Sequence, residues 1–421
     1  MTFTDRTDPR AGTSRTRRGL GAAALLATAV LAGCGGSVGP SDAPAGTSGG
    51  TADAAAPSVA PAELQRTADA AFGGKGVDVG TLPPLVKDTL ARATAKLTPA
   101  QTSKAYECWK ATSCTIGDGK LTVAYADAFG GNTWRQFTKM SVILGALAHP
   151  EVGKFVYTDA KFDLATYQAN LRTVVAQGAD VVVTNDEFGP AAYPALTAAQ
   201  KQGAKVATFI GSMDDAPAAA YTTRVQYDLC TVGKDMARIT QEATKAKGPV
   251  AFLEGLAGNP QDARTRECVQ QAGVPVAFKD ATEYTPAGTQ KAASALIASG
   301  KPVKAILASY ANTVPSIVDA YAKARKEVPA IITLTQSNRT ACQREEKPYP
   351  LYFTSSLNWS TRIAVDAGVQ AATRGQAPKA VQIPLPIVQA GKADCDPSKP
   401  AEYPGETLVP DALVDQMLAS R

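Results

Sequence analysis

Residues 121–137 read Leu-Thr-Val-Ala-Tyr-Ala-Asp-Ala-Phe-Gly-Gly-Asn-Thr-Trp-Arg-Gln-Phe. Leu121 to Ala126 has the apolar, β-rich character of a short buried strand, and Phe129 to Thr133 supplies the glycines and the Asn that let a chain turn and start a helix. A ligand has something to hold there. Trp134 offers a flat apolar face, Asn132 both donors and acceptors, Arg135 a fork of donors, and a helix start leaves free backbone N–H groups. The same stretch also reads as an ordinary strand-to-helix turn with a core Trp, so its neighbours must decide.

Downstream, strand and helix alternate. Lys154 to Tyr157 is expected as the second strand, and the helix after it puts Leu164, Tyr167, Leu171, Val174 and Val175 on one face by steps of three and four. Val181 to Thr184 is a third buried strand, Ala191 to Gln202 a helix, and Lys205 to Phe209 a fourth strand. Alternation of this kind builds a parallel sheet covered by helices on both sides, with ligands beyond the carboxyl ends of the strands. After Arg224 the pattern starts again: a helix from Cys230, then Gly248-Pro249-Val250-Ala251-Phe252-Leu253-Glu254, a helix from Gln261, Pro275 to Lys279, a helix from Gly288, Lys304 to Ser309, a helix from Pro315 and Pro329 to Thr335. Two lobes of similar size fit this length better than one sheet.

Upstream, residues 63–117 suggest one or two helices punctuated by Pro83, Pro84 and Pro99, expected to pack on the outside of the first lobe. The chain opens with an address. Arg15, Arg17 and Arg18 precede an uncharged run of 13 residues, Leu20 to Ala32, too short for the roughly 20 residues of a bilayer span but suited to a secretory signal. Leu31-Ala32-Gly33-Cys34 has the form of a bacterial lipobox, with Cys34 as the lipidated first mature residue, and Thr16-Arg17-Arg18-Gly19-Leu20 resembles a twin-arginine signal. From Gly35 to Ala62, 24 of 28 residues are Ala, Gly, Pro, Ser or Thr, which cannot bury enough apolar surface to fold and reads as a flexible tether.

The first 33 residues carry five Arg and two Asp, so removing that +3 from the overall +5 leaves about +2. With no basic stripe interleaved with aromatics, a nucleic-acid binder is excluded. Setting Cys34 aside, Cys108, Cys114, Cys230, Cys268, Cys342 and Cys395 form an even set suited to disulfides in an exported protein. Cys108 with Cys114 is the best pair, and Cys230 with Cys268 and Cys342 with Cys395 follow by neighbourhood. A metal site is not expected, since there is no Cys-x-x-Cys and one His.

In this order, the segments resemble the type I periplasmic binding proteins of the ribose-binding class, the ligand-capturing subunits of ABC importers, over roughly residues 118–390. Phe129 to Arg135 is similar to the family's first strand-to-helix turn, and Leu171 to Asn185 to its helix, Gly turn and third strand. Ala198 to Thr208, Val225-Gln226-Tyr227-Asp228, Glu254 to Arg266, and Leu351 to Gly375 resemble later pieces in the same order. The resemblance implies an α/β fold of two Rossmann-like lobes with parallel sheets joined by a three-strand hinge. With the signal peptide (1–33), tether (34–62) and helical extension (63–117) read above, it divides the rest into lobe 1 (118–224 plus 358–378) and lobe 2 (225–357 plus 379–421). Crossings are expected near Tyr221 to Val225, Thr335 to Ser337 and Leu351 to Asn358.

The resemblance further implies capture of a small polar, sugar-like ligand by lobe closure, with no cofactor. A membrane ABC permease would read the closed form, and the protein would be a monomer anchored by lipid on the extracytoplasmic face of a bacterial cell membrane. Trp134 would stack on the ligand, with Phe129 and Tyr310 in lesser roles, while Asn132, Arg135, Asn185, Arg264 or Arg266, Gln336 and Asn358 would supply hydrogen bonds. Three carboxylates usual in ribose and galactose binders are missing: the chain reads Phe209-Ile210-Gly211-Ser212, Ser309-Tyr310-Ala311-Asn312 and Thr335-Gln336-Ser337 at those places. Asp127, Asp186 and Glu254 are left to compensate. A polyol, a modified or acidic sugar, or another small polar molecule therefore stands beside a plain sugar as a candidate. Trp359 is expected in the core.

Catalysis finds little footing. His149, the one His, is expected in a surface turn and so offers no base for a Ser-His-Asp arrangement; the Gly-x-Ser-x-Gly spacings at 35–39 and 46–50 fall in the tether and not on a strand-to-helix elbow, and no Walker loop is present. Two other readings remain: a sensory receptor whose closed form docks on a membrane kinase, and a small lipid-anchored α/β hydrolase.

Overall fold

The computed structural model describes residues 56–74, 76–210, 216–245 and 248–420. The signal segment, Cys34, most of the tether, Gly211 and Ser212 lie outside the described residues. Three helices lead in: α1 (Pro61–Phe72), α2 (Pro84–Ala93) and α3 (Pro99–Lys110). Each has Pro in its first turn, where a missing N–H costs nothing, and Thr98 and Gln101 close a reciprocal capping box on α3.

The first lobe follows as β1 (Ser113–Thr115), β2 (Leu121–Asp127), α4 (Thr133–Leu147), β3 (Val152–Asp159), α5 (Leu164–Ala176), β4 (Val181–Asn185), α6 (Tyr193–Lys201), β5 (Lys205–Phe209) and β6 (Thr223–Gln226). The second comprises α7 (Leu229–Thr244), β7 (Val250–Glu254), α8 (Pro260–Gln271), β8 (Val276–Ala281), α9 (Pro286–Ala298), β9 (Ala305–Ala308), α10 (Val314–Lys323), β10 (Ala330–Thr333), α11 (Asn338–Glu346) and β11 (Leu351–Thr354). The chain then runs through α12 (Ser360–Arg374), β12 (Ala380–Gln382), β13 (Ile387–Gln389) and α13 (Asp411–Ala419).

The strand order is β1-β3-β2-β4-β5-β6-β12 in one sheet and β13-β11-β10-β9-β7-β8 in the other. Read from the second strand of each lobe, β3-β2-β4-β5-β6 and β8-β7-β9-β10-β11 are the same parallel arrangement built twice. In both, the order reverses at the first strand, so the crevice opens beyond the carboxyl ends of β2 and β7. Continuous apolar runs such as Val181-Val182-Val183 are buried on both faces, as parallel strands require. Helix α12 lies on β4 and β5 at a close approach that Gly368 permits: a Cβ there would stand 2.3 Å from Val181 Cγ1.

The three crossings between sheets are residues 227–228 before α7, residues 355–359 between β11 and α12, and residues 383–386 between β12 and β13. Thr335 to Ser337 does not cross. It turns from β10 into α11 within the second lobe, where the Thr335 N–H donates to Thr354 Oγ1 at 2.9 Å and Ser337 caps α11. The actual third crossing uses two three-residue strands whose short, partly exposed segments carry no apolar run to be read. The lobe boundaries shift accordingly: β6 keeps residues 225 and 226 in the first sheet, β12 returns to it, and α13 packs against α3 rather than with the second lobe.

The leading helices dock on the first lobe and on the hinge. Ala71 O, in the last turn of α1, accepts hydrogen bonds from Ser355 Oγ (2.9 Å) and Trp359 Nε1 (2.7 Å), and Phe72 meets Trp359 edge to face. From the C-terminal side, Glu406 Oε2 accepts the Ser356 N–H at 3.0 Å. Farther along α12, Asp366 accepts from Thr89 (2.6 Å) and Arg92 (3.1 Å) of α2, with His149 Nε2 at 2.6 Å. His149 is therefore a buried member of a polar dock and not a surface turn residue: it is 4% exposed because α12 and α2 cover the end of α4.

Disulfides join Cys108 to Cys114, Cys230 to Cys268 and Cys342 to Cys395. They tie α3 to β1, α7 to α8, and α11 to the segment after β13.

Candidate functional site

A cleft between the lobes, about 770 Å³ with its open mouth included, is walled by the strand ends and the crossings. From the first lobe come Asn132, Trp134, Arg135, Glu187 and Ile210; from the second, Asn259, Gln261, Asp262, Tyr284, Ser309 and Tyr310; the crossing adds Ser355, Ser356 and Leu357.

Its charged centre is built on α4. Asn132 caps that helix by accepting the Arg135 N–H at 2.9 Å, which fixes where the next turn of side chains points. Arg135, 4% exposed, donates through Nη1 to Asp127 Oδ1 at 3.3 Å and through Nη2 to Glu187 Oε1. Burial works against the guanidinium charge, but the two carboxylates more than offset it and hold its pKa above the usual value. Asp127 is fully buried behind the pair, and burial, partly opposed by Arg135, pushes it up to about 7. Trp134 donates its indole N–H to Ser356 O at 2.6 Å and lies beside Phe209, so its ring is fixed against the crossing.

The second lobe answers this group. Asn259 caps α8 with its side-chain oxygen and uses Nδ2 to donate across the cleft to Glu187 Oε2 at 2.7 Å. Gln261 Nε2 donates to Asp186 O at 3.1 Å. Asp262, one residue on, accepts from the Gly255 N–H (2.7 Å) and Ser309 Oγ (2.8 Å), and burial raises it to about 6 against those bonds. The lobes are thus joined by one charge-assisted hydrogen bond, Asn259 to the Glu187 carboxylate, and one neutral bond, Gln261 to the Asp186 carbonyl.

Of the residues named from sequence, Asn132, Trp134, Arg135 and Tyr310 line the cleft. Asp127 sits one layer back, and Asn185 and Asp186 are buried at the end of β4. Phe129 lies at the outer mouth, stacked on Phe162 at 4.1 Å. Arg264 pairs with Glu267 on the face of α8 away from the cleft, and Arg266 pairs with Glu254 over the Phe252 ring. Both turn away because Asn259 and Pro260 start α8 with Gln261 and Asp262, not the later arginines, on the inward face. Gln336 donates to Asp394 in a separate cavity, and Asn358 is fully enclosed in the crossing.

Sequence reading missed Glu187, Asn259, Gln261, Asp262, Tyr284 and Ser309. Asn259-Pro260 is a visible helix-start signal at a strand end, and it places Gln261 and Asp262 ahead of the arginines at the mouth of the cleft. The carboxylates of the cleft are thus Glu187 and Asp262 rather than Asp186 and Glu254.

A model of the periplasmic binding protein domain family matches residues 123–380. No curated protein sequence matches the chain. Among solved structures, the fold is similar to the periplasmic binding protein component of the arabinose ABC transporter from Shewanella sp. ANA-3, bound to L-arabinofuranose. That match has a TM-score of 0.56 and 15% identity over 64% of this chain and 92% of that one. An ABC transporter solute-binding protein from Bacillus halodurans C-125 with bound myo-inositol matches at TM-score 0.57 and 14% identity, over 66% and 96% of the two chains. One from Mycobacterium smegmatis with bound glycerol matches at TM-score 0.56 and 17% identity, over 65% and 95%.

Proposed function

The chain belongs to the periplasmic binding protein domain family, a family of ligand-capturing proteins and not of enzymes, and from that premise we propose that it captures a small polyhydroxylated solute for an ABC importer. The observation that carries this reading is the Arg135–Glu187–Asn259 relay, which links the lobes through hydrogen-bonding groups that also face the cleft. A sugar or cyclic polyol presents hydroxyls to both lobes at once, and a ligand that touches both lobes stabilises the closed form over the open one. Trp134 and Tyr310 supply apolar faces, and Glu187 and Asp262 accept hydrogen bonds from hydroxyls. The solved relatives with arabinofuranose, myo-inositol and glycerol support the ligand class.

On this reading the protein works outside the cytoplasm, held to the membrane by a lipid on Cys34 and handing its ligand to a permease. Cys34→Ser should move the mature protein from the membrane to the soluble fraction, and equal partition of both forms would refute the anchor.

The test of function is the melting temperature with a panel of pentoses, hexoses, cyclic polyols, sugar acids and amino acids. A ligand at about 100 times its dissociation constant stabilises the folded protein by about 2.7 kcal/mol, a shift of a few degrees for a domain of this size. Trp134→Ala should abolish that shift. Stabilisation by none of the panel would refute the reading.

A further inference from the structure

The inner cleft does not balance its charges. Among the described residues that line it, Arg135 is the one cation, against the carboxylates of Glu187 and Asp262. Arg135 is already committed: its guanidinium is shared between Asp127 and Glu187, two carboxylates for one positive charge. Lys139 stands behind this group, with its ammonium held by Trp109 O (2.6 Å) and Ala111 O (2.9 Å) of the α3 end. Asp159 and Asp186 stand behind it too, so the surroundings do not restore the balance.

Asp262 is the carboxylate left over. It is 6% exposed, accepts hydrogen bonds from neutral groups only, the Gly255 N–H and Ser309 Oγ, and meets no cation among the described residues. The charge it does feel is Glu187, a like charge from the opposite lobe, which adds to burial in raising its pKa. A carboxylate buried without a cation is costly, and closing a second carboxylate onto it adds to that cost. Aromatic rings complete the setting. Tyr227 and Tyr284 both line the cleft, and the charges of Glu187 and Asp262 reach both hydroxyls, adding to burial in raising their pKa. Carboxylates on facing lobes, with aromatic rings around them, are the groups that hold an ammonium: the first pair with its charge, and the ring faces attract it through their quadrupoles.

We propose that the solute captured here carries an amine: a polyhydroxylated ring or short polyol with a protonated nitrogen, which sits between Glu187 and Asp262. This names the ligand class of the cleft and so rests on the binding function proposed above. An ammonium placed there supplies the charge that Asp262 lacks in the closed form. In the open form the two carboxylates part and the nitrogen meets only one of them, so the same group also favours closure. An anionic sugar would bring a further negative charge into the same space and is rejected on the same ground.

Titration calorimetry on the whole chain at about pH 7 tests it with matched probes: D-galactose, D-galactosamine and D-galacturonate in one set, D-glucose, D-glucosamine and 1-deoxynojirimycin in the other. At least one amine should bind about tenfold or more tightly than its neutral parent, and the galacturonate should bind weakest of its set. Asp262→Asn and Glu187→Gln keep shape and remove charge, and each should narrow the amine-to-neutral ratio toward one. The wild-type comparison stands even where a variant does not fold. A neutral parent that binds as tightly as its amine, or a ratio unchanged in both folded variants, would overturn the amine class while leaving the binding function intact. Binding by none of the six also overturns the amine class, and the melting-temperature panel then decides whether the binding function survives.

Discussion

Asp262 shows how a buried carboxylate in the cleft couples to pH. Its pKa of about 6 in the folded chain lies above the about 3.9 of an unfolded one, because burial outweighs the bonds from Gly255 and Ser309. Between these values the folded state holds more protons than the unfolded state. The stability Asp262 contributes is therefore fullest below about pH 4 and is lost as pH rises toward 6. Asp262→Asn should flatten this slope. The wild-type and variant unfolding free energies, from urea titrations at about pH 4 and about pH 7, should differ in their pH change by about 3 kcal/mol. An identical pH dependence would show that Asp262 stays ionised throughout. The same residue marks the limit of sequence reading. Asn132, Trp134 and Arg135 were legible because one strand-to-helix turn places all three, whereas Glu187, Asn259 and Asp262 acquire meaning only when two lobes, 72 residues apart in the Glu187–Asn259 pair, come together.

At the scale of elements, the parallel strands were the readable part: buried on both faces, they appear as apolar runs such as Val181-Val182-Val183 and Ala305-Ile306-Leu307. The edge strands β1, β12 and β13 were not, since three residues with exposed positions carry no period. The sequence pattern therefore points to Thr335 to Ser337 for the third crossing, whereas the chain crosses at residues 383–386. The disulfides join neighbouring elements with very different loops. The Cys108–Cys114 pair spans 6 residues, Cys230–Cys268 38 and Cys342–Cys395 53. By loop-closure entropy, replacing each pair with Ser should cost about 2, about 4 and about 4 kcal/mol in turn. Chemical unfolding of the three double variants would check the ranking. A loss from the short bridge as large as from the long ones would mean that the bridges act through native packing instead.

At the scale of the whole molecule, the segments outside the family match, before residue 123 and after residue 380, are fastened to the first lobe, to the hinge and, through β13 and the Cys342–Cys395 bridge, to the second lobe. Asp366 anchors one of these fastenings, the dock of α2 on α12. Burial alone would raise its pKa, but His149, Arg92 and Thr89 hold it below the usual carboxylate range. A carboxyl depressed in this way stabilises the fold above the unfolded pKa of about 3.9, and its contribution is lost as pH falls through the folded value. Asp366→Ala should cost about 3 kcal/mol or more, since it removes from a buried site the one carboxylate that Thr89, Arg92 and His149 share. It should also speed amide exchange in α2 more than in the strands of the second lobe. Uniform acceleration across both lobes would show that the dock is not a local joint.

The bonds from Ser355 and Trp359 to Ala71 bear on how such a body behaves when moored. With the lipid tether proposed above, a tug from the membrane travels along α1 and arrives at the fulcrum of the two jaws, not at the tip of either. Force delivered at a pivot has almost no lever arm and so exerts little torque. The jaws would open and shut on their cargo with the same balance whether the mooring line is slack or taut.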